Sequence, residues 1–261
     1  LWDGGTGILE AVNQELFSFR TEAAAGLRPS FLCIGQPHAG IARLGEMLSG
    51  HAQIGLPHRE GDYFCFNYHK GERWYLERFA GVHDGIRRIG EVGPMYLYSD
   101  LAPSRIAAFG SIRKFVVMLR DPVSWLAARY AVIHSRHVVN RASFLEDHGH
   151  EFDRLCVHSF LMLYLALFDR DCFLFATTDE LTANEELTTR RVAAFLEIDP
   201  NGFVRRDRRP RFPSFASFLS REPEPPAWLF EELRARRGLV NEQTERLGAA
   251  IGRDLSGWLI D

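Results

Sequence analysis

The sequence predicts an α/β fold: a single domain with a central parallel sheet flanked by helices. Three observations carry this. Phe31 to Ile34 is a short apolar run of the kind a buried strand shows, followed by a glycine turn and a helical repeat. Phe115 to Leu119 is five apolar residues in a row, ended by Arg120-Asp121-Pro122, which reads as a central strand covered on both faces. Between and beyond these, strand-like and helix-like stretches alternate, the pattern of parallel sheets with helical crossovers.

Taken in order, residues 1–29 read as an N-terminal lead-in with a short helix from Ile8 to Arg20, and residues 30–261 as the folded domain. After the Phe31 to Ile34 strand, Gly35 and Gly40 bracket Gln36, Pro37, His38 and Ala39. Ile41, Leu44, Met47 and Leu48 then recur at helical spacing, with Gly50 as C-cap. Ile54 to Pro57 reads as a short strand stopped by proline, and Tyr63 to Phe66 as aromatics packed across the mouth of a site. Trp74 to Phe79 reads as a helix, Arg88 to Val92 as a strand and Ala102 to Phe109 as a helix. Pro122 suits the first turn of a helix running to about His137. A loop rich in His, Arg and Asn follows, then a long, buried apolar helix from Phe152 to Asp169. Cys172 to Ala176 reads as a strand and Glu185 to Leu196 as an amphipathic helix. Arg205 to Pro213 reads as a basic surface loop, Pro223 to Pro226 as a break and Trp228 to Ile251 as a last helix, with Trp258 tucked back onto the body.

The 261 residues are 46% hydrophobic and 25% charged, the balance of a globular protein. The net charge of -3 conceals a bias: the positive charge is nearly all Arg, with Lys only at Lys70 and Lys114. Arg favours bidentate contacts to phosphate, sulfate or carboxylate, although genome composition explains such a bias equally well. Cys33, Cys65, Cys156 and Cys172 have no metal-ligand spacing, and three read as core thiols. Reduced thiols favour a cytoplasmic setting. No apolar run is long enough to span a bilayer, no secretory signal is visible, and a chain opening at Leu1 is expected to have lost its natural start. No feature points to nucleic acid.

Strand, glycine turn and helix N-terminus together make a cradle for anions, because free backbone N–H groups and the helix dipole point into the turn. The two glycines have Walker A spacing, but Ile41 and Ala42 stand where Lys and Ser/Thr belong. In parallel sheets ligands gather at the carboxyl ends of strands. Gln36 to Gly40, Glu91 and Arg120 all fall there, so they are expected to meet.

Phe31 to Gly40 resembles the 5′-phosphosulfate loop of sulfotransferases. Pro57-His-Arg-Glu60-Gly-Asp-Tyr63-Phe64 and Asn67 to Tyr75 resemble the segments that follow it in heparan-sulfate-type members. Gly90 to Tyr96 resembles their Glu-Lys-Ser-Pro-x-Tyr segment. Val116 to Tyr130, centred on Leu119-Arg-Asp-Pro122, resembles the 3′-phosphate motif. Thr178 to Leu181 with Phe195 to Ile198, and Gly252 to Trp258, resemble later segments, the last as in bacterial members. The ordered set covers most of the chain. The resemblance implies a P-loop-like sulfotransferase fold and transfer of a sulfuryl group from 3′-phosphoadenosine 5′-phosphosulfate (PAPS) to a hydroxyl or amine of a carbohydrate or small molecule. The product is adenosine 3′,5′-bisphosphate, and no metal is implied.

By that resemblance Glu60 is the catalytic base, His38 stands beside the leaving phosphate, and Gln36, Pro37, His38, Ala39, Gly40, Ile41, Ala42, Arg43 and Arg120 hold the nucleotide, Arg120 at its 3′-phosphate. Arg59, Lys70 and Glu91 are candidates for the acceptor. Each has a plainer reading: Glu60 paired with Arg59, Arg120 paired with Asp121, Glu91 paired with an Arg. Four positions depart from the family. His38 replaces a Lys, Ile41 and Ala42 replace two Thr, and Ala128 replaces a Ser two helical turns after Arg120. Protonated His38, or Arg43 one turn into the helix, is expected to make up the charge. The departures keep two alternatives open: a sulfotransferase-fold binding protein without transfer activity, and a transferase using another nucleotide donor.

Overall fold

The computed structural model describes residues 28–57, 61–80, 85–203 and 225–261. The readings of a helix from Ile8 to Arg20, of the Arg205 to Pro213 loop, and of His58, Arg59 and Glu60 lie outside the described residues.

Five strands, β1 (Phe31–Gly35), β2 (Ile54–Gly55), β3 (Arg88–Val92), β4 (Lys114–Leu119) and β5 (Phe173–Thr177), form one parallel sheet of order β2-β3-β1-β4-β5. Phe31 is in register with Gly90 of β3 on one side and Lys114 of β4 on the other. Alternate residues of a strand face opposite sides, and here each side meets its own core. Leu32 and Ile34 join Phe115, Val117, Phe173 and Phe175 in one cluster, while Phe31 and Cys33 join Val116 and Met118 in another. Coverage on both faces is why the strands read as unbroken apolar runs rather than alternating ones.

The helices are α1 (Ile41–Ser49), α2 (Gly71–Glu77), α3 (Ala102–Phe109), α4 (Pro122–Arg136), α5 (Arg141–His148), α6 (Val157–Leu165), α7 (Thr178–Ala183), α8 (Glu185–Leu196), α9 (Ala227–Ala235) and α10 (Arg237–Ile251). Residues of α1, α7 and α8 cover one face of the sheet; residues of α6 and α10 with an aromatic cluster cover the other. Residues of α4, α5, α9 and α10 enclose a third cluster around Trp125, Phe144 and Leu229.

The structure corrects the sequence reading in four places. The apolar stretch from Phe152 to Asp169 is not one buried helix. Asp153–Leu155 is a 3₁₀ turn, α6 begins only at Val157, and Met162, Leu163 and Leu167 are exposed. Phe152 and Leu155 pack into the third cluster while Leu161, Tyr164 and Phe168 pack under the sheet, so the stretch serves two cores and cannot run straight. The last helix breaks at Arg236 for the same reason: Leu229 and Leu233 face the third cluster, Leu247 and Ile251 the sheet. The His-rich loop contains α5, closed by a capping box in which Asn140 Oδ1 accepts from Ser143 N–H at 3.0 Å and Ser143 Oγ accepts from Asn140 N–H at 3.1 Å. Tyr63 and Phe64 are buried; Tyr63 stacks on Tyr75 at 4.6 Å and belongs to the core. Among the cysteines, all free, only Cys33 is fully buried. Trp258 packs on the sheet core as expected.

Sheet order positions the site. From β1 the chain moves outward to β2, returns to β3, then crosses to the other side of β1 for β4. The switch point therefore lies between the carboxyl ends of β1 and β4, where a crevice opens in such sheets. The two strands approach closely there. Gly35 has φ +143°, and a Cβ on it would lie 2.2 Å from Met118 O. Gly35→Ala is expected to cost about 3 kcal/mol or more. A urea titration followed by circular dichroism checks this; an unchanged midpoint would refute the close approach.

Candidate functional site

The loop between β1 and α1 is stitched to the start of α4 by four hydrogen bonds. Gln36, buried, donates its N–H to Met118 O at 3.1 Å and accepts Arg120 N–H on Oε1 at 2.8 Å. Arg120, also buried, donates from Nη1 to His38 O at 3.0 Å. Trp125 Nε1 donates to Pro37 O at 2.7 Å. Asp121 does not pair with Arg120; it caps α4 by accepting Ser124 N–H at 2.8 Å. The loop closes with Ala39 N–H donating to Gln36 O at 3.1 Å and with two left-handed residues, His38 at φ +65° and Gly40 at φ +83°. A Cβ at Gly40 would lie 2.8 Å from Leu181 Cδ2. No side chain caps α1, so its first N–H groups remain the donors of the cradle.

His38 is neutral at physiological pH. Burial lowers its pKa to about 4, and the guanidinium groups of Arg129, Arg120 and Arg136 push the same way, opposed only by the Glu151 carboxylate. The unliganded ring therefore does not carry the charge expected of it at this position. Arg43 does not turn to the loop either. Its Nε and Nη2 bind Glu185 at 2.9 and 2.7 Å, and its Nη1 binds Glu46 at 3.2 Å. Two carboxylates hold it on the outer side of α1.

Glu91, a candidate for the acceptor with a structural pairing as its plainer reading, pairs with no arginine here but with backbone and tyrosine donors. It is 0% exposed. Its Oε1 accepts the N–H of Gly61 and, at 3.0 Å, that of Asp62; its Oε2 accepts the Tyr96 hydroxyl at 2.7 Å. Burial raises its pKa, while the Tyr96, Gly61, Tyr75 and Asp62 donors oppose the rise. With its lone pairs filled, the carboxylate ties the chain that follows Glu60 to the end of β3. Lys70 lies 4.5 Å over the ring of Trp74. The structure thus brings together Gln36 to Gly40, the start of α1 and Arg120. The Arg43 side chain turns away to Glu185 and Glu46, and Glu91 is buried at the end of β3.

The neighbourhood also contains residues the sequence reading passed over. Tyr98 donates to Arg154 O at 3.2 Å and hydrogen-bonds Gln36. Arg129, one residue beyond the buried Ala128, pairs with Glu151 at 2.8 Å. The only sequence signal for Arg129 was its place one residue past the missing serine; nothing local marked Glu151.

A parallel sheet with a glycine-bracketed loop at its switch point, clamped by the arginine that follows the neighbouring strand, is an α/β arrangement shared with the sulfotransferase fold. A solved sulfotransferase from Alicyclobacillus acidocaldarius has this fold, with TM-score 0.67 and 23% identity over 88% of this chain and 98% of that one. In sequence, a little under half of the chain is similar to curated sulfotransferases. It is 30% identical over 126 residues to heparan sulfate glucosamine 3-O-sulfotransferase 3A1 of Mus musculus, and 30% identical over 113 residues to the 3B1 protein of Homo sapiens. These matches take in 48% and 43% of this chain but only 32% and 29% of the relatives' length. No family model matches the chain.

The low pKa of His38 makes a stability prediction. In the unfolded chain the ring titrates near pH 6.5, in the folded chain near 4. Between these values the unfolded state binds the extra proton, so folding stability is full above about pH 6.5 and falls as pH drops toward 4. The loss from this one group is expected to be roughly 3 kcal/mol. His38→Gln should flatten that part of the stability–pH curve in urea titrations from pH 4 to 7.5. An equal slope in both proteins would mean the ring is not held neutral.

Proposed function

We propose that this protein transfers a sulfuryl group from PAPS to a hydroxyl or amine of a carbohydrate or small-molecule acceptor. The observation that carries the reading is the junction of the β1–α1 loop with Arg120 at the switch point. The residues suit a nucleotide phosphate: the N–H groups at the start of α1 have no side-chain cap. Bound there, PAPS supplies the sulfuryl group and a leaving phosphate. Within the stretch from Gln36 to Arg43, the backbone N–H groups from Gly40 to Arg43 would hold the 5′ end. Arg120, whose fork has five donors, would take the 3′-phosphate while keeping its bond to His38 O. Glu60 would accept the acceptor's proton as the new bond to sulfur forms and the bond from sulfur to the bridging oxygen breaks. Glu91 would act through its hold on Gly61 and Asp62, positioning the residue before them. Arg59 and Lys70 would lie toward the acceptor.

Further parts of the proposal are a cytoplasmic, bacterial setting, supported by the free thiols, and a reaction run by protein cations without a metal. No helix among the described residues is long and apolar enough to cross a membrane. A second reading, a nucleotide-binding protein without transfer, is favoured by two observations: His38 is neutral and Arg43 is committed to carboxylates.

Calorimetric titration with adenosine 3′,5′-bisphosphate is the first test. Micromolar binding is expected, and none at high concentration would refute a retained nucleotide site. Arg120→Ala should weaken the bisphosphate far more than adenosine 5′-monophosphate; equal losses would remove Arg120 from the 3′-phosphate.

Turnover separates the two readings. Glu60→Gln should leave nucleotide affinity nearly unchanged and lower kcat by roughly a hundredfold or more. Nucleotide binding without transfer to any acceptor tried would favour the second reading, and a fully active Glu60→Gln protein would move the base elsewhere.

A further inference from the structure

The loop lacks a lysine, its histidine is neutral, and Ala128 offers no hydroxyl. The structure places a permanent charge close by. Arg129 Nη2 forms an ion pair with Glu151 Oε1 at 2.8 Å, and Glu151 is 0% exposed. Arg154 Nη1 donates to the same carboxylate at 3.2 and 3.1 Å, and His150 Nε2 lies 3.3 Å from it. The Arg154 guanidinium sits 5.3 Å over the ring of Tyr98, and Tyr98 in turn reaches Gln36. A continuous set of contacts therefore runs from Arg129 to the first residue of the loop.

The charges in this set do not balance. Two guanidinium groups share one carboxylate, and Arg120 and Arg136 add to the surplus around His38. Burial alone would raise the Glu151 pKa. The Arg129 hydrogen bond and charge, with Arg154 and His150, hold it below the usual carboxylate value, so it stays ionised. A buried structural pair needs one arginine; a second leaves the cluster with net positive charge, and that of Arg129 is felt at His38. Arg129 also has a donor to spare: its Nε is buried and has no hydrogen-bond partner among the described residues. Such a group is costly unless something accepts from it. Of the charged groups acting on His38, Arg129 acts most strongly.

We propose that Arg129, held in place by Glu151, is a second anion-binding arginine of this site, supplying the nucleotide phosphates with the permanent charge that His38 and Ala128 do not. The proposal rests on the nucleotide reading given above. Arg129 is the ligand group; Glu151 is a positioning residue that fixes the guanidinium on α4 and acts only through it.

The test is titration calorimetry of the full chain with adenosine 3′,5′-bisphosphate at two salt concentrations, with thermal melts of every variant. Arg129→Gln should weaken binding about tenfold or more and reduce its salt dependence. Because that variant leaves the Glu151 carboxylate with one arginine fewer, its melting temperature should fall. The double variant Arg129→Gln with Glu151→Gln removes the lost partner's charge as well. It should regain most of the melting temperature while binding no better than Arg129→Gln. Arg129→Lys should recover part of the affinity, since it keeps the charge and loses the fork. If the double variant binds like the wild type, or if Arg129→Gln binds with unchanged affinity and salt dependence, Arg129 is structural and the proposal falls by itself. If the wild type does not bind the bisphosphate at all, the nucleotide reading falls and takes the proposal with it. Inorganic phosphate serves as the comparison ligand. Equal losses for phosphate and bisphosphate fit a bare anion contact; wild-type affinity for both in Arg129→Gln overturns the assignment.

Discussion

Arg120 is the point on which the site depends. It follows β4 directly, as Gln36 follows β1, and the two residues bond each other through a backbone N–H and a buried side-chain amide. The guanidinium then reaches back to the His38 carbonyl. A buried amide and a buried guanidinium are expensive unless satisfied, so this junction specifies one loop conformation instead of merely tolerating it. Trp125 adds a third fixed point at Pro37. With three consecutive loop residues held from the α4 side, the left-handed geometry at His38 and Gly40 is imposed, and the first N–H groups of α1 are left aimed at the crevice.

That rigidity has an electrostatic consequence. A histidine enclosed by a clamped loop and facing three arginines is held neutral, because burial and like charge both oppose its protonation. Charge for an anion must then come from groups whose ionisation does not respond to burial. Arginine satisfies that condition, and arginine is nearly all the positive charge this chain has. A loop without lysine and arginines whose charge acts on its histidine are two sides of the same arrangement.

Two buried carboxylates do complementary work. Glu91 is filled by backbone and tyrosine donors and ties the segment after Glu60 to β3. Glu151 is paired with Arg129 of α4 and with Arg154 of the Asp153–Leu155 turn. Neither faces the crevice as a reacting group.

Much of the fold was legible in the amino-acid order. The buried strands Phe31–Gly35 and Lys114–Leu119 read as apolar runs because both faces of a parallel sheet are covered, and Pro122 and Gly50 marked helix ends through backbone chemistry that acts locally. The cradle and Arg120 were legible for the same reason: each sits immediately after a strand, where sheet topology puts ligands. The tertiary structure decided what depends on residues far apart in sequence. The single apolar stretch at Phe152 to Asp169 bends because it feeds two cores. Arg43 turns outward because Glu185, more than a hundred residues away, claims it. Glu91 became a tether and Arg129 a candidate ligand only once Gly61, Tyr96 and Glu151 were packed against them. Local sequence carries propensity and periodicity; which charge meets which partner, and whether burial leaves it ionised, is settled only when distant segments are brought into contact.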